Sequence, residues 1–256
     1  MRINLRHWHF GGAEQNFGDA LSPYIVRRLI GKQHTLKVNG EGEVDLLAIG
    51  SWLHYAKEGT HIWGTGLRTD PPQEHDAMHD YKTLNVHAVR GPLTRDFLLR
   101  RGIWCPAVYG DPALILPELF QPGRDPKLEG RVGLVPHLSG IEKYQHARDF
   151  HVISPLTTNV EDVIRQIVSC SAVVSQSLHG LIVADAYGIP NVWLRDLPSE
   201  GDLKFRDYFA SQERPMECIH ALEQFEVSRL WRKGSQLDTE PLIRCFPFRD
   251  PAPHSQ

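Results

Sequence analysis

Short apolar runs rich in β-branched residues alternate along this chain with segments whose apolar positions recur at helical spacing. Val44–Gly50 predicts a buried strand ended by a turn glycine, and His61–Gly64 predicts another. Asn85–Arg90 predicts a third, followed by a helix that Gly91-Pro92 opens and Gly102 closes, with Leu93, Phe97 and Leu98 on one face. Proline at the first helical position and glycine past the last turn are the expected asymmetry. Val108-Tyr109 then runs as a strand into Gly110-Asp111-Pro112. The pattern restarts with strands at Val132–Val135 and Val152–Ser154. Val160, Val163, Ile164, Ile167 and Val168 fall at i, i+3, i+4, i+7 and i+8, one face of a helix that Asn159 would cap. Ala172–Val174 leads into Ser175–Gly180, Leu181–Tyr187 reads as a helix ended by Gly188, and Asn191–Leu194 is the last strong strand.

Strand–helix alternation in both halves predicts an α/β protein with parallel sheets wrapped by helices. Pro122-Gly123-Arg124-Asp125-Pro126 is the candidate linker, giving domains at 1–123 and 124–256 with a cleft between them. The final segment of the second is able to pack back on the first. The tail beyond about Pro241 is expected as a short helix or irregular segment ending in disorder.

Composition narrows the function classes. Hydrophobic residues make up 41% and charged residues 23%, enough apolar material for a core. A formal net charge of −3 argues against nucleic-acid binding through a uniformly basic surface, so no such partner is expected. Cys105, Cys170, Cys218 and Cys245 show no metal-type spacing and read as reduced thiols. No H-E-x-x-H pattern stands among the 14 histidines, and no metal is expected. With no apolar run of membrane-spanning length, a soluble cytoplasmic protein is expected, and peripheral contact with the inner membrane face stays open.

Ligands of open α/β sheets bind where strands hand over to helices, and four handovers here carry polar residues. Asn16-Phe17-Gly18-Asp19 precedes a helix start expected at Ser22-Pro23; Asp19 there orients a ligand hydroxyl, or the stretch is a plain capping loop. Arg90 stands before a helix N-terminus, where it binds a carboxylate or phosphate or forms an ordinary ion pair. Asp111 follows a buried strand and serves as base or hydroxyl orienter, or else caps the helix begun by Pro112. Ser175-Gln176-Ser177-Leu178-His179-Gly180 offers hydroxyls, helix-end N–H groups and a titratable imidazole for an anion, against a purely structural histidine. His137, after Val132–Pro136, is a weaker case of the same placement. Trp52, Trp63 and Trp193 read as core, with contact to an acceptor as the alternative.

Taken in order, Asn16–Asp19, Ile62–Gly66, Val89–Pro92, Gly110–Pro112, Ser177–Gly180 and Gly201–Tyr208 resemble the bacterial polysaccharide pyruvyltransferases, most of all the xanthan-type ketal enzymes. The resemblance covers about residues 10 to 250. It implies a GT-B-like fold of two Rossmann-type domains, phosphoenolpyruvate as donor, a lipid-linked oligosaccharide or polysaccharide as acceptor, and no cofactor. Related enzymes carry an arginine before Leu-His-Gly; here Ser177 stands there, so Arg90, Arg195 or Lys204 would balance the phosphate. On this reading His179 donates a proton, Asp19 or Asp111 handles the attacking hydroxyl, and Asn16, Arg90, His137, Ser175, Ser177, Gly180 and Lys204 bind substrate. A nucleotide-sugar glycosyltransferase of the same fold is the alternative, and a non-catalytic assembly partner is a third reading.

Overall fold

The computed structural model describes residues 1–9, 11–68, 83–197 and 201–250. The first half contributes β1 (Arg2–Arg6), β2 (Gln15–Asn16), β3 (Thr35–Val38), β4 (Val44–Leu47), β5 (His61–Trp63) and β6 (Asn85–Ala88). The second contributes β7 (Val132–Val135), β8 (His151–Val152), β9 (Leu156–Thr157), β10 (Ala172–Ser175), β11 (Asn191–Leu194) and β12 (Cys218–Ile219). Two five-stranded sheets result, ordered β3-β1-β4-β5-β6 and β12-β11-β10-β7-β8, with every neighbouring pair parallel. Counted within each sheet, both have the order 2-1-3-4-5, so each half is a Rossmann-type unit. Opposed across a cleft, the two make a GT-B-like arrangement.

The main helices are α1 (Phe17–Leu29), α2 (Pro92–Arg100), α3 (Val160–Ser169), α4 (Leu178–Ala186), α5 (Leu203–Ser211) and α6 (Glu240–Arg244). All five apolar positions predicted for α3 are buried. Two helix starts differ from expectation. α1 begins at Phe17, because the Asn16 side chain accepts from the backbone N–H groups of Gly18 and Asp19, and Pro23 lies inside the helix. α4 begins at Leu178, which places His179 and Gly180 in its first turn.

β1 was not legible from apolar runs, since polar and apolar residues alternate along it. Its Asn4 is wholly buried yet satisfied: it donates to Asp45 Oδ1 (2.7 Å) and accepts from the Gly40 N–H (2.9 Å).

The two halves are separate in topology and continuous in packing. One core cluster holds Leu21, Ile25 and Trp63 together with Ile164, Leu181 and Phe246. β2 and β9 pair antiparallel across the halves. The C-terminal segment returns to the first sheet, where Leu242 O accepts from the Trp63 indole (2.8 Å) and Phe246 packs 4.6 Å from that ring. Gly31 N–H donates to Phe248 O at 2.8 Å. Residues 251–256, where disorder is expected from the sequence, lie outside the described residues.

Candidate active site

In a sheet of order 2-1-3-4-5 the connections after the first and third strands diverge, opening a crevice at their carboxyl ends. Trp8 follows β1, and Gly50, Ser51 and Trp52 follow β4. In the other sheet His137 and Leu138 follow β7, while Ser177, Leu178 and His179 follow β10. All of these line one cavity of about 300 Å³, completed by Asn16, Asp19, His54, Tyr55, Arg68 and Lys204. The switch points of both sheets therefore open into the same space.

His179, its side chain 13% exposed, turns Nε2 to within 3.4 Å of Asp111 Oδ2, an ion pair when the ring is protonated. Neither atom makes a hydrogen bond to a described residue. The second Asp111 oxygen accepts from Ala113 N–H at 2.9 Å and fixes the carboxylate. The ring lies against Gly18, where a Cβ would collide with Nδ1. Two motifs 160 residues apart thus meet at one imidazole, and residue 18 has room only for glycine.

Asp19 touches both sides of the cavity. Burial pushes its carboxyl up to about 6, while His179, a hydrogen bond from the Trp52 indole, Lys204 and His137 pull the other way. Asn16 caps α1 and still reaches the cavity wall. Ser177 directly precedes α4 and spends no hydroxyl on capping it, so its side chain and the helix N-terminus both remain for an anion. His137 caps a short 3-10 turn, its N–H held by Gln176 Oε1 at 2.9 Å. Lys204, in the first turn of α5, supplies an ammonium.

Three residues expected to bind substrate are elsewhere. Arg90 is fully buried and bonded to Asp207 (3.3 Å), Ser51 (2.7 Å) and Leu67 O (2.5 Å). Asp207 also accepts from the N–H groups of Leu93 and Thr94, so a carboxylate from α5 caps α2 in the other half. Gly91 leaves no room for a Cβ beside Asp207. The Val89–Pro92 motif is thus a clamp between the halves, and a guanidinium already committed to three acceptors cannot hold a donor. Ser175 is wholly buried and bridges Val135 O and Ser177 O. Gly180 faces Ser175 and Val135 so closely that a Cβ would collide, which makes it a packing residue. Asp111 sits behind His179 with no exposure, out of reach of a sugar hydroxyl. Arg195, the other cation expected, is paired with Asp202 at 2.7–3.0 Å and is not on the wall.

Arg68, Trp8, His54 and Tyr55 were missed, and Trp52 was read as core with ligand contact as the alternative. Arg68 lies two residues past the Gly64-Thr65-Gly66 turn that follows β5, and placement after a strand was the usable signal. Trp63 and Trp193 are core, whereas Trp52 lines the cavity with His54 and Tyr55. Among the described residues no group of three or more His, Cys, Asp or Glu could hold a metal, and no helix is long and apolar enough to cross a membrane. The one histidine pair at i, i+4 spacing, His75 and His79, lies outside the described residues.

A family model described as polysaccharide pyruvyl transferase matches residues 16–196, well over half of the chain and all but two of the cavity-lining positions, Trp8 and Lys204. The chain belongs to the polysaccharide pyruvyl transferase family. Members transfer pyruvyl groups to polysaccharide, and this chain is an enzyme of that class. It is 24% identical over 219 residues to an uncharacterised protein of Acanthamoeba polyphaga mimivirus, covering 79% of this chain and 72% of that one. It is 28% identical over 218 residues to the succinoglycan biosynthesis protein ExoV of Rhizobium meliloti, covering 80% of this chain and 64% of the relative. A Methanocaldococcus jannaschii UDP-GlcNAc 2-epimerase follows a related course at 12% identity and TM-score 0.48, covering 95% of this chain and 98% of its own; nothing functional rests on that likeness.

Proposed function

We propose that the enzyme uses phosphoenolpyruvate as donor and closes a pyruvate ketal on two hydroxyls of one sugar. The observation that carries this reading is the meeting of three things in one cavity: an imidazole backed by a buried carboxylate, a half-buried carboxylate, and cationic groups beside a helix N-terminus.

The donor carries a phosphate and a carboxylate. Ser177 with the α4 N-terminus, Lys204 and Arg68 hold these charges, with His137 alongside. His179 as imidazolium gives its proton to C3, and C2 becomes an oxocarbenium centre. Asp111, 3.4 Å behind the ring, holds it in place; it is a positioning residue. Asp19 takes the proton of the first sugar hydroxyl as that oxygen bonds to C2. The C2–O bond to phosphate then breaks, the second hydroxyl adds, and the ketal closes. Of the two hydroxyl protons released, one balances the proton given to C3 and the other leaves with inorganic phosphate. No step needs a metal or an organic cofactor. A lipid-linked oligosaccharide as the polysaccharide precursor, met at the inner membrane face, is part of the same proposal.

The test is a thermal-shift titration with phosphoenolpyruvate beside UDP and GDP. At about 100 times its Kd a ligand adds about 2.7 kcal/mol to native stability. For a chain of this length that raises Tm by roughly 5–10 °C. A shift with phosphoenolpyruvate and none with the nucleotides is expected. A shift with a nucleotide alone would overturn the donor assignment.

A further inference from the structure

We infer that Trp52, His54 and Tyr55 form a stacking shelf for the acceptor sugar, placing its hydroxyls at Asp19. The inference rests on the donor reading above and adds the side of the cavity that reading leaves unused.

The cavity wall is chemically divided. Ser177, His137, Lys204 and Arg68 supply positive charge and hydrogen-bond donors, whereas Trp52, His54 and Tyr55 supply ring faces. Tyr55 packs 4.4 Å from Trp52 and 4.1 Å from His54, while His54 and Trp52 lie nearly parallel at 14°. Three rings in contact therefore line one stretch of the wall, and Tyr55 is 51% exposed although it lines a cavity. Trp52 is anchored by partial burial against a second core cluster while Tyr55 stays exposed, so the group presents rings to the cavity instead of burying them fully as Trp63 and Trp193 are buried.

The shelf is also rigid. Trp52 N–H donates to Thr65 Oγ1 at 3.0 Å, and that hydroxyl donates to Gly50 O at 2.9 Å. Leu53 between the rings is wholly buried and anchors the 3-10 turn Leu53–Tyr55. Gly50, at φ +98°, lets the chain turn sharply out of β4 with its Cα close to the Trp52 ring.

The ligand class follows from the shape of this surface. A pyranoside presents an apolar C–H face and a rim of hydroxyls. Laid on a ring shelf, its apolar face is buried without cost to the rim. A Cβ at Gly50 would stand 3.0 Å from the Trp52 ring and 3.8 Å from Asp19 Oδ1, so the rim of a stacked sugar ring lies beside that carboxylate, with His179 and Lys204 on the facing wall of the same cavity. Charge then sorts the substrates: the anionic donor takes the cationic wall, and the neutral sugar takes the aromatic one.

Saturation-transfer NMR tests this with methyl α-D-mannopyranoside, methyl β-D-galactopyranoside and methyl β-D-glucopyranoside, each with phosphoenolpyruvate present. Transfer to the C–H face of at least one glycoside is expected in the wild-type protein. It should vanish in Trp52→Ala/Tyr55→Ala, while the phosphoenolpyruvate thermal shift of that variant persists. No transfer to any glycoside, or undiminished transfer in the variant, would overturn the shelf. Absence of the phosphoenolpyruvate shift in the wild-type protein would instead overturn the donor reading, so the two failures are told apart. Tyr55→Ala alone, which removes the most exposed ring and keeps the indole, serves if the double variant fails to fold; undiminished transfer there also overturns the shelf.

Discussion

Replacing Arg90 by alanine should unfold this protein before it weakens donor binding. The guanidinium has no exposure and makes three separate contacts, through Nε to Asp207, Nη1 to Ser51 and Nη2 to Leu67 O. Alanine removes all three and leaves the Asp207 carboxylate buried without its cation. Breaking one partner out of a buried ion pair costs about 3–5 kcal/mol. Asp207 keeps its bonds from Leu93 N–H, Thr94 N–H and Thr94 Oγ1, which holds the loss toward the lower end. At about 2–4 °C per kcal/mol for a chain of this length, Tm should fall by on the order of 10 °C. Arg90→Lys should recover little, because one ammonium cannot reach three acceptors set in a fork. The assay is a thermal melt of wild type and both variants, followed by phosphoenolpyruvate titration at a temperature where each variant is folded. Donor Kd should stay within about threefold, less than 0.7 kcal/mol. A wild-type Tm together with a donor Kd raised tenfold or more would refute this reasoning and return Arg90 to the donor site.

His179→Ala should keep its fold and lose turnover by on the order of 10² or more, read as phosphate release under saturating donor. Asp111→Asn should lower kcat with little change in donor KM, whereas equal effects on both would remove its positioning role. The Asp19 carboxyl, raised to about 6, binds its proton more tightly in the folded than in the unfolded chain. Its contribution to stability is therefore full below about pH 4, falls as pH rises through the window from about 4 to 6, and is level above. Asp19→Asn should gain stability over wild type across that window, by on the order of 3 kcal/mol at pH 7. Denaturant midpoints at pH 4, 5, 6 and 7 measure this, and a difference that does not change with pH would sink it.

Much of the fold was legible because its signals are local. A buried parallel strand is a continuous apolar run, and Leu46–Ile49 and Ala172–Val174 show it. The apolar period of α3, its Asn159 cap, and the Pro92 and Gly102 around α2 act within a turn or two of chain. β1 escaped because its inward polar residue, Asn4, is satisfied by Asp45, a partner 41 residues away. The start of α1 was misplaced because Pro23 is a stronger signal in sequence than the Asn16 cap, and the helix accommodates both.

The site divides along the same line. By itself the sequence determined that Asn16, Asp19, His137, Ser177 and His179 stand at strand ends or helix starts, where a ligand would meet them, the family resemblance added Lys204, and the structure collects all six around one cavity. Sequence also pairs glycine with each motif, but not with its reason: Gly18 makes room for His179, Gly64 for Pro112, and Gly91 for Asp207. Those partners are 48 to 161 residues away, so no window along the chain contains them. Only the tertiary structure decided that Arg90 and Ser175 point inward, that Asp111 serves His179 rather than a substrate, and that Trp52 and Arg68 face the cavity. An arginine before a helix looks the same in sequence whether its fork meets solvent, a ligand or a carboxylate from the other half. Which of these it meets is fixed by where the second sheet docks, and that depends on the whole shared core.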